Sequence, residues 1–355
     1  MVPPPIPRRP IRPSDPSSVT LPVLGLGCSS FSSFFRSSDA AAVSSDDYEK
    51  KQTRRWIDTV RTALDHGINV LDTAPWYGHG TSEITVGLAL KEALGGTDGG
   101  GEGGGVEGED GGRTFRRHHR EDVRIHTKVG RYDAEPARMF DFSRAAVLSS
   151  CRRSLARMGC GYVDLLQLHD PEFAPSVALL VEVTVPAMEE CRERGWTREL
   201  GITGYPLEVQ HEILLRCADA GLTFDVSLTY CHFNWHDASL FERSPAFGDS
   251  SFHDACADRG VAVLAAAPLS MGLLTPGGPP DWHPASPALQ EACRRAVGMC
   301  DEEGASATQL ALAYALHAGA PVPCTLLGMA DAGEVEEAAA VARRAGTGGT
   351  LEDVL

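Results

Sequence analysis

Three short stretches of this sequence carry, at the end of an apolar run, a group able to move a proton. They are Leu71-Asp72-Thr73-Ala74-Pro75-Trp76-Tyr77-Gly78, His126-Thr127-Lys128-Val129-Gly130 and Leu165-Leu166-Gln167-Leu168-His169-Asp170. A tyrosine of ordinary acidity, with a pKa of about 10, is a poor general base at neutral pH. An ammonium beside it stabilises the phenolate and lowers that pKa. A carboxylate next to the ammonium keeps it charged away from water, and an imidazole can orient a substrate oxygen and assist proton movement. Asp72, Tyr77, Lys128 and His169 can therefore act as one proton-transfer unit if the fold brings the three strand ends together. Taken singly, each has a plainer reading: a turn aspartate, a surface lysine, a structural histidine. Three such strand ends in one chain weigh against coincidence.

The elements needed to position them are legible as hydrophobic periodicity. Apolar runs over residues 23–28, 69–72, 123–128, 163–169, 199–203, 224–228, 261–267 and 324–327 read as strands. Amphipathic stretches alternate with them, at 52–66, from about 82, and at 143–158, 186–194, 207–220, 287–303 and 306–317. In the first, Trp56, Ile57, Val60 and Leu64 share one face, and Gly67 is placed to end the helix. Eight strand–helix alternations predict an α/β fold, a closed (β/α)8 TIM barrel; an open doubly wound sheet is the runner-up. In a barrel the strand C-termini form the catalytic face. Gly25-Leu26-Gly27 is not a dinucleotide fingerprint, because no third glycine opens a helix after it.

Composition narrows the function classes. The chain has 355 residues, 43% of them hydrophobic, enough for one barrel domain, expected over 21–345. A formal net charge of −16 repels phosphate backbones and argues against a nucleic-acid partner. No apolar run is long enough for a membrane span. The ten cysteines form no CxxC pair, and no histidine cluster has metal-ligand spacing, so reduced buried thiols, no metal site and a cytoplasmic location are expected. Residues 1–20, rich in Pro and Arg, read as a disordered tail rather than a secretory signal; a transit peptide is the minor alternative. Residues 346–355 read as a C-terminal tail. The Gly-rich, acidic stretch 95–112 cannot bury enough apolar surface to order itself, and reads as a disordered loop on the face opposite the strand C-termini.

The three strand-end segments also resemble the aldo-keto reductase family in order and local context. The resemblance runs from about Leu21 to Ala340 and includes Gly195-Trp196-Thr197-Arg198 and Gly201-Ile202-Thr203-Gly204. It is closest to the plant-type L-galactose dehydrogenase branch, through Leu228-Thr229-Tyr230-Cys231-His232, the 266–274 stretch and Trp282-His283-Pro284. The resemblance implies a catalytic tetrad of Asp72, Tyr77, Lys128 and His169 and a nicotinamide cofactor. It implies cofactor contacts at Gly27, Thr203, Gly204, Ser227, Tyr230, Pro268, Leu269, Met271, Gly272, Gly328, Met329, Asp331 and Glu334. Many members have Ser-Asn where this chain has Thr203-Gly204, and Gly204 has no side chain to offer a carboxamide. Substrate contacts are expected from Trp76, Arg131 and Tyr132, with Ser29, Ser30 and Asp170 as further polar groups.

Asp331 and Glu334 favour NAD over NADP, since a carboxylate accepts from a ribose 2′-hydroxyl and repels a 2′-phosphate. The implied activity is oxidation of a sugar at C1, with L-galactose giving L-galactono-1,4-lactone in ascorbate biosynthesis, by a monomer or weak homo-oligomer. The N-terminal hairpin that closes the barrel bottom in that family looks shortened or altered here. Alternatives are another aldose dehydrogenase, acting on L-fucose or D-arabinose, and a non-catalytic dinucleotide-binding barrel. A metal-dependent barrel hydrolase is disfavoured, because it needs several converging ligands where only His169 is found.

Overall fold

The computed structural model describes residues 5–12, 15, 17–32, 46–95, 106–107, 114–317 and 321–345. The chain opens with a small antiparallel hairpin, β1 (Arg8–Pro10) with β2 (Thr20–Pro22), in the register Arg8 to Pro22 and Pro10 to Thr20. Strand β3 (Leu24–Gly27) follows, then helix α1 (Asp46–Asp65), β4 (Val70–Asp72), α2 (Thr81–Ala93) and a second small hairpin, β5 (Val106–Glu107) with β6 (Thr114–Phe115). The remaining units are β7 (Arg124–Val129), α3 (Arg144–Met158), β8 (Val163–His169), α4 (Val177–Leu179), α5 (Val185–Glu193), β9 (Thr197–Gly204), α6 (Leu207–Asp219), β10 (Val226–Tyr230) and α7 (Phe252–Ala257). The chain then runs through β11 (Ala262–Ala266), α8 (Pro287–Glu302), α9 (Ala307–Leu316), β12 (Thr325–Gly328) and α10 (Ala332–Ala345).

Eight of these strands close into a parallel barrel in the order β10-β11-β12-β3-β4-β7-β8-β9. They are the eight expected from the apolar runs, and the closed ring excludes the open sheet. Helix ends follow local chemistry. Ser143 caps α3 by accepting from the Ala146 amide, Ser286 caps α8 and Ser306 caps α9, while Pro287 occupies the first turn of α8, where its missing N–H costs nothing. A π-turn at Leu180–Thr184 joins α4 to α5, so this helical segment begins earlier than the expected 186.

Strand alternation sorts side chains into two cores. One lies between barrel and helices and includes Leu24, Leu26, Leu71, Ile125, Leu166, Leu168, Leu200 and Ile202. The other fills the barrel itself with Val70, Leu165, Val226, Leu228, Leu264, Cys324 and Leu326. Ile11 and Leu21 of the N-terminal segment belong to this inner core, at 4% and 0% exposure. Among the described residues, 5–12 and 17–20 thus include a paired, partly buried hairpin where a disordered tail was expected; 1–4, 13, 14 and 16 lie outside the described residues. Burying these two side chains contributes roughly 2 kcal/mol each, and Arg9 donates to the carbonyls of Leu316, His317 and Val322, tying the hairpin to the far end of the chain.

Within 95–112, the description covers Gly95 and β5; the rest of that stretch, and 346–355, lie outside the described residues. All ten cysteines are free thiols, eight of them buried. No helix among the described residues is long and apolar enough to cross a membrane.

Candidate active site

Barrel register sets the first contacts. Asp72 is the last residue of β4 and lies opposite His126, while Lys128 lies opposite Gln167 and His169 opposite Thr203. Because inward positions recur every second residue, Lys128, Gln167 and His169 point into the barrel at its C-terminal mouth, with Asp72 beside them. The Lys128 ammonium donates to Asp72 Oδ1 and, at 2.9 Å, to the Thr73 carbonyl. Gln167 Nε2 donates to the other Asp72 oxygen at 2.8 Å. Both oxygens of Asp72 are thus engaged, which fixes its plane.

Tyr77 arrives from the loop after β4. A 3-10 turn over Tyr77–Gly80 reverses the chain through three positive φ angles, 61° at Gly78, 51° at His79 and 99° at Gly80. Glycine is required at Gly80 by its φ; the guanidinium end of Arg157, 2.8 Å from where a Cβ would stand, could move aside. The loop is pinned by Thr73 Oγ1 and Ser82 Oγ, 2.8 Å apart, with Ser82 donating to the Cys28 carbonyl. The Tyr77 ring consequently stands with its centroid 4.8 Å from Lys128 Nζ and edge-on to His169, centroids 6.0 Å apart. The four residues picked out by spacing form one cluster.

Its electrostatics differ from the simple expectation in one respect. Burial pushes the Tyr77 phenol above the ordinary tyrosine value; Lys128 pulls it down without cancelling that effect, and Asp72 adds to the rise. Burial also works against the Lys128 charge, but Asp72 and then Tyr77 outweigh it and hold the ammonium above the usual lysine range. His169 is lowered to about 3, first by burial and further by Lys128 and Arg131, against a contrary pull from Asp170. It is a neutral imidazole at neutral pH, and its buried Nδ1 has no partner among the described residues.

The rim is polar and aromatic. Arg131 donates to Asp170 Oδ2 at 2.7 Å and lies 4.1 Å from the Trp76 ring centroid. Of the expected substrate contacts, Trp76 and Arg131 therefore join the cluster, together with Asp170. Tyr132 does not. Its hydroxyl is buried beside Ser150 of α3, and burial raises its pKa.

The expected cofactor positions divide in the same way. Gly27 and Gly328 are paired at the ends of β3 and β12, and a Cβ on Gly27 would sit 3.4 Å from the Gly328 amide. Thr203 and Gly204 end β9 next to His169, and Tyr230 ends β10. Pro268, Leu269, Met271 and Gly272 lie in a loop after β11 whose Ala267, Ser270, Met271 and Gly272 all have positive φ, from 48° to 102°. Such non-glycine conformations cost on the order of 1 kcal/mol each. The loop is braced by His236 Nε2 on Ser270 Oγ, 2.8 Å, and by His283 Nε2 donating to the Ser270 carbonyl, 3.1 Å.

At two of the expected positions the side chain faces away from the mouth. Ser227 is fully buried and donates to Gln210 of α6 at 2.9 Å, so it faces the helix layer. The Met329 side chain is packed in the outer core, and its carbonyl accepts from Ser30 Oγ at 2.8 Å.

Asp331 and Glu334 stand at the start of α10. Asp331 accepts from the Glu334 amide and pairs at 2.5 Å with Arg55 of α1, while Glu334 accepts from the Ala330 amide. Arg55 was not legible from the 328–337 segment, because it comes from a helix some 270 residues away in sequence, in a pair whose separation is 276.

Three polar atoms at the mouth are open to a ligand. Gln167 Oε1, His169 Nδ1 and Glu172 Oε2 are buried and have no partner among the described residues. A dinucleotide carrying an amide and hydroxyl groups fits that donor and acceptor set, beside the exposed backbone of Gly328 and the Tyr230 ring. Gln167 and Glu172 were missed as site residues; counting back two from His169 along an alternating strand would have found Gln167.

Comparison with known proteins agrees with this geometry. Residues 41–345 match the model of the Aldo/keto reductase family. The chain is 39% identical over 279 residues to L-galactose dehydrogenase of Arabidopsis thaliana, covering 79% of this chain and 75% of that protein. It is 30% identical over 263 residues to D-arabinose 1-dehydrogenase of Saccharomyces cerevisiae, covering 73% and 68%. Among solved structures, an aldo-keto reductase from Bacillus halodurans in its holo form superposes with a TM-score of 0.65 at 23% identity, covering 98% of this chain and 94% of the other, a likeness of fold.

Proposed function

The chain belongs to the aldo/keto reductase family of oxidoreductases, and from that premise we propose that it is an NAD-dependent aldose 1-dehydrogenase that oxidises L-galactose to L-galactono-1,4-lactone, as a step of ascorbate biosynthesis. The observation that carries the reading is the convergence of Asp72, Tyr77, Lys128 and His169 in one buried cluster under a polar rim. A bound nicotinamide would supply the hydride acceptor. Tyr77 takes the C1 hydroxyl proton, Lys128 stabilises the phenolate that receives it, and the neutral His169 imidazole orients the sugar oxygen.

Since burial raises the Tyr77 pKa, the base form grows only as pH rises, so oxidation should accelerate from neutral into alkaline solution. Arg131 and Asp170 offer donors and acceptors to sugar hydroxyls, and Trp76 offers an apolar face. The aldose dehydrogenases among the relatives support a sugar substrate.

The preference for NAD rests on Asp331 and Glu334. Arg55, the nearby cation, is already committed to Asp331. The test is kcat/KM for L-galactose, L-fucose, D-arabinose and D-galactose with NAD and with NADP, read from absorbance of the reduced cofactor. The expected result is highest efficiency with L-galactose and NAD. A site built on hydrogen bonds rejects an analogue lacking a needed hydroxyl by roughly 10⁴, so preference for another sugar would replace the substrate, and equal efficiency with both cofactors would reject the NAD preference.

A further inference from the structure

Gly204 leaves empty a position that many family members fill with an asparagine side chain, and the space has been taken by a residue from another strand's loop. A Cβ on Gly204 would lie 2.6 Å from Glu172 Oε2 and 3.2 Å from Pro171 Cδ. Glu172 follows β8, three residues after His169, in a 3-10 turn that begins with Asp170 at φ 48°. Its Oε1 accepts from the Tyr205 amide at 3.1 Å, which anchors the carboxylate against the end of β9. Its Oε2 is buried and has no hydrogen-bond partner among the described residues.

The neighbouring cation does not serve it. Arg131 donates to Asp170, and no ion pair to Glu172 is found among the described residues. Burial pushes the Glu172 carboxyl up, although the backbone amides and Arg131 oppose this. Tyr205, whose amide holds Glu172, has its ring 5.4 Å from that of Tyr230, centroid to centroid, at the end of β10, and burial, then Asp170 and Glu172, push the Tyr230 phenol up. A buried carboxylate oxygen with no donor is costly, and the cost is relieved when a ligand brings an N–H or a positive charge to it.

We propose that Glu172 replaces the missing side chain of position 204 at the nicotinamide, accepting from the carboxamide N–H, and that its charge makes the protein bind the oxidised dinucleotide in preference to the reduced one. The oxidised ring is cationic and the reduced ring is neutral, while the amide is common to both. Contact with the amide therefore strengthens both forms equally, and only the Coulomb interaction separates them. At a few ångströms in a partly buried site, that interaction is worth a preference on the order of tenfold or more. The arrangement loads the barrel with the oxidised cofactor before any sugar is bound. The inference rests on the nicotinamide reading above.

The test is calorimetric titration of the full-length protein with NAD⁺ and with NADH, separately and without sugar. Glu172→Gln keeps the shape and one acceptor but removes the charge. It should weaken NAD⁺ on the order of tenfold and leave NADH nearly unchanged. Gly204→Ala, whose new methyl must displace Glu172 Oε2, should shift the ratio of the two dissociation constants in the same direction by a route that leaves the glutamate in the chain. Equal weakening of both forms by Glu172→Gln, or an unchanged ratio in both variants, would overturn the proposal and leave the cofactor reading intact. Failure of the unaltered protein to bind either dinucleotide would overturn both.

Discussion

The two ends of the barrel use the same residue types in opposite ways. At the N-terminal end, charge meets charge. Asp164 accepts from Arg120 at 2.9 Å, Arg198 at 3.3 Å and the Ile125 amide at 2.9 Å, while Arg124 pairs with Glu199 at 2.5 Å. Asp225 accepts from the Leu200 amide and faces both Arg12 and Arg192. At the C-terminal end, buried polar atoms on Gln167, His169 and Glu172 lack partners, and the loop after β11 holds three non-glycine residues at positive φ. At one end the carboxylates are engaged by guanidinium and amide groups, although Arg120 Nε and Arg124 Nε keep no partner among the described residues, while at the other an amide, an imidazole and a carboxylate atom stay open at the barrel mouth. Burial alone does not tell stability from function in a polar residue; unfilled valences that also line the mouth are the better sign.

The comparison breaks most visibly at the mouth. Tyr77→Phe removes one hydroxyl and no packing, so kcat should fall by roughly 10² to 10⁴ with Tm and dinucleotide binding unchanged. Retention of most of the turnover would mean that Tyr77 is not the proton-transfer group. The opposite signature is expected from Asp164→Ala at the N-terminal end. It strands two guanidinium groups and a buried amide, and since Arg198 is half exposed the loss should be about 2 kcal/mol of stability, with kcat per folded molecule preserved. Denaturant melts and turnover on the same preparation would separate the two; a large loss of kcat with unchanged stability would dissolve the distinction between the ends.

A middle layer sharpens it. His126 lies one inward step below Lys128 on β7, is 1% exposed, and neither ring nitrogen has a partner among the described residues. Burial, then Arg124 and Lys128, hold its pKa well below the ordinary histidine value. The unfolded chain therefore takes up a proton near pH 6.5 that the folded protein refuses, so stability falls as pH drops below that value. His126→Leu should stabilise the protein by about 1 kcal/mol near pH 8 and by roughly 2 kcal/mol more near pH 5. A Tm difference that does not widen on acidification would show that His126 is not buried neutral.

The smallest effect belongs to residues 95–112. In the sequence they follow α2 and precede β6, with β7 coming after, and shortening a connection between elements changes stability by only about 0.6 kcal/mol per halving. Replacing them with a short Gly-Ser linker should leave kcat and Tm almost as they were, and a large loss of activity would move the stretch to the mouth.

How much of this was legible depended on whether the signal was local. Each barrel strand announced itself as an apolar run, and β8 matches its expected bounds, 163–169, because all seven residues are buried. The tetrad was legible because a proton-moving group at a strand end is a local pattern with a fixed address in a barrel. The N-terminal hairpin was not. Its strands have three residues each, two of the six are prolines and two arginines, and their stability comes from carbonyls and apolar side chains hundreds of residues away. Ser227 was misassigned because one step of strand period turns a side chain from mouth to helix layer. Glu172 and Arg55 act through neighbours from other elements, so their own segments carry no sign of it.

The tie between Arg9 and the Val322 carbonyl spans 313 residues, and β3 finds one of its two barrel neighbours in β12. In chain order, the β1–β2 segment must therefore wait for one more than three hundred residues later before either can be satisfied. Until then β3 has an open edge on the side β12 will take, which is a template for pairing with another chain. Contacts of such high sequence separation slow folding. The barrel is thus a ring whose clasp closes only once β12 is in place, and disrupting the β1–β2 hairpin would be felt first as aggregation of the folding chain, ahead of any change in its catalysis.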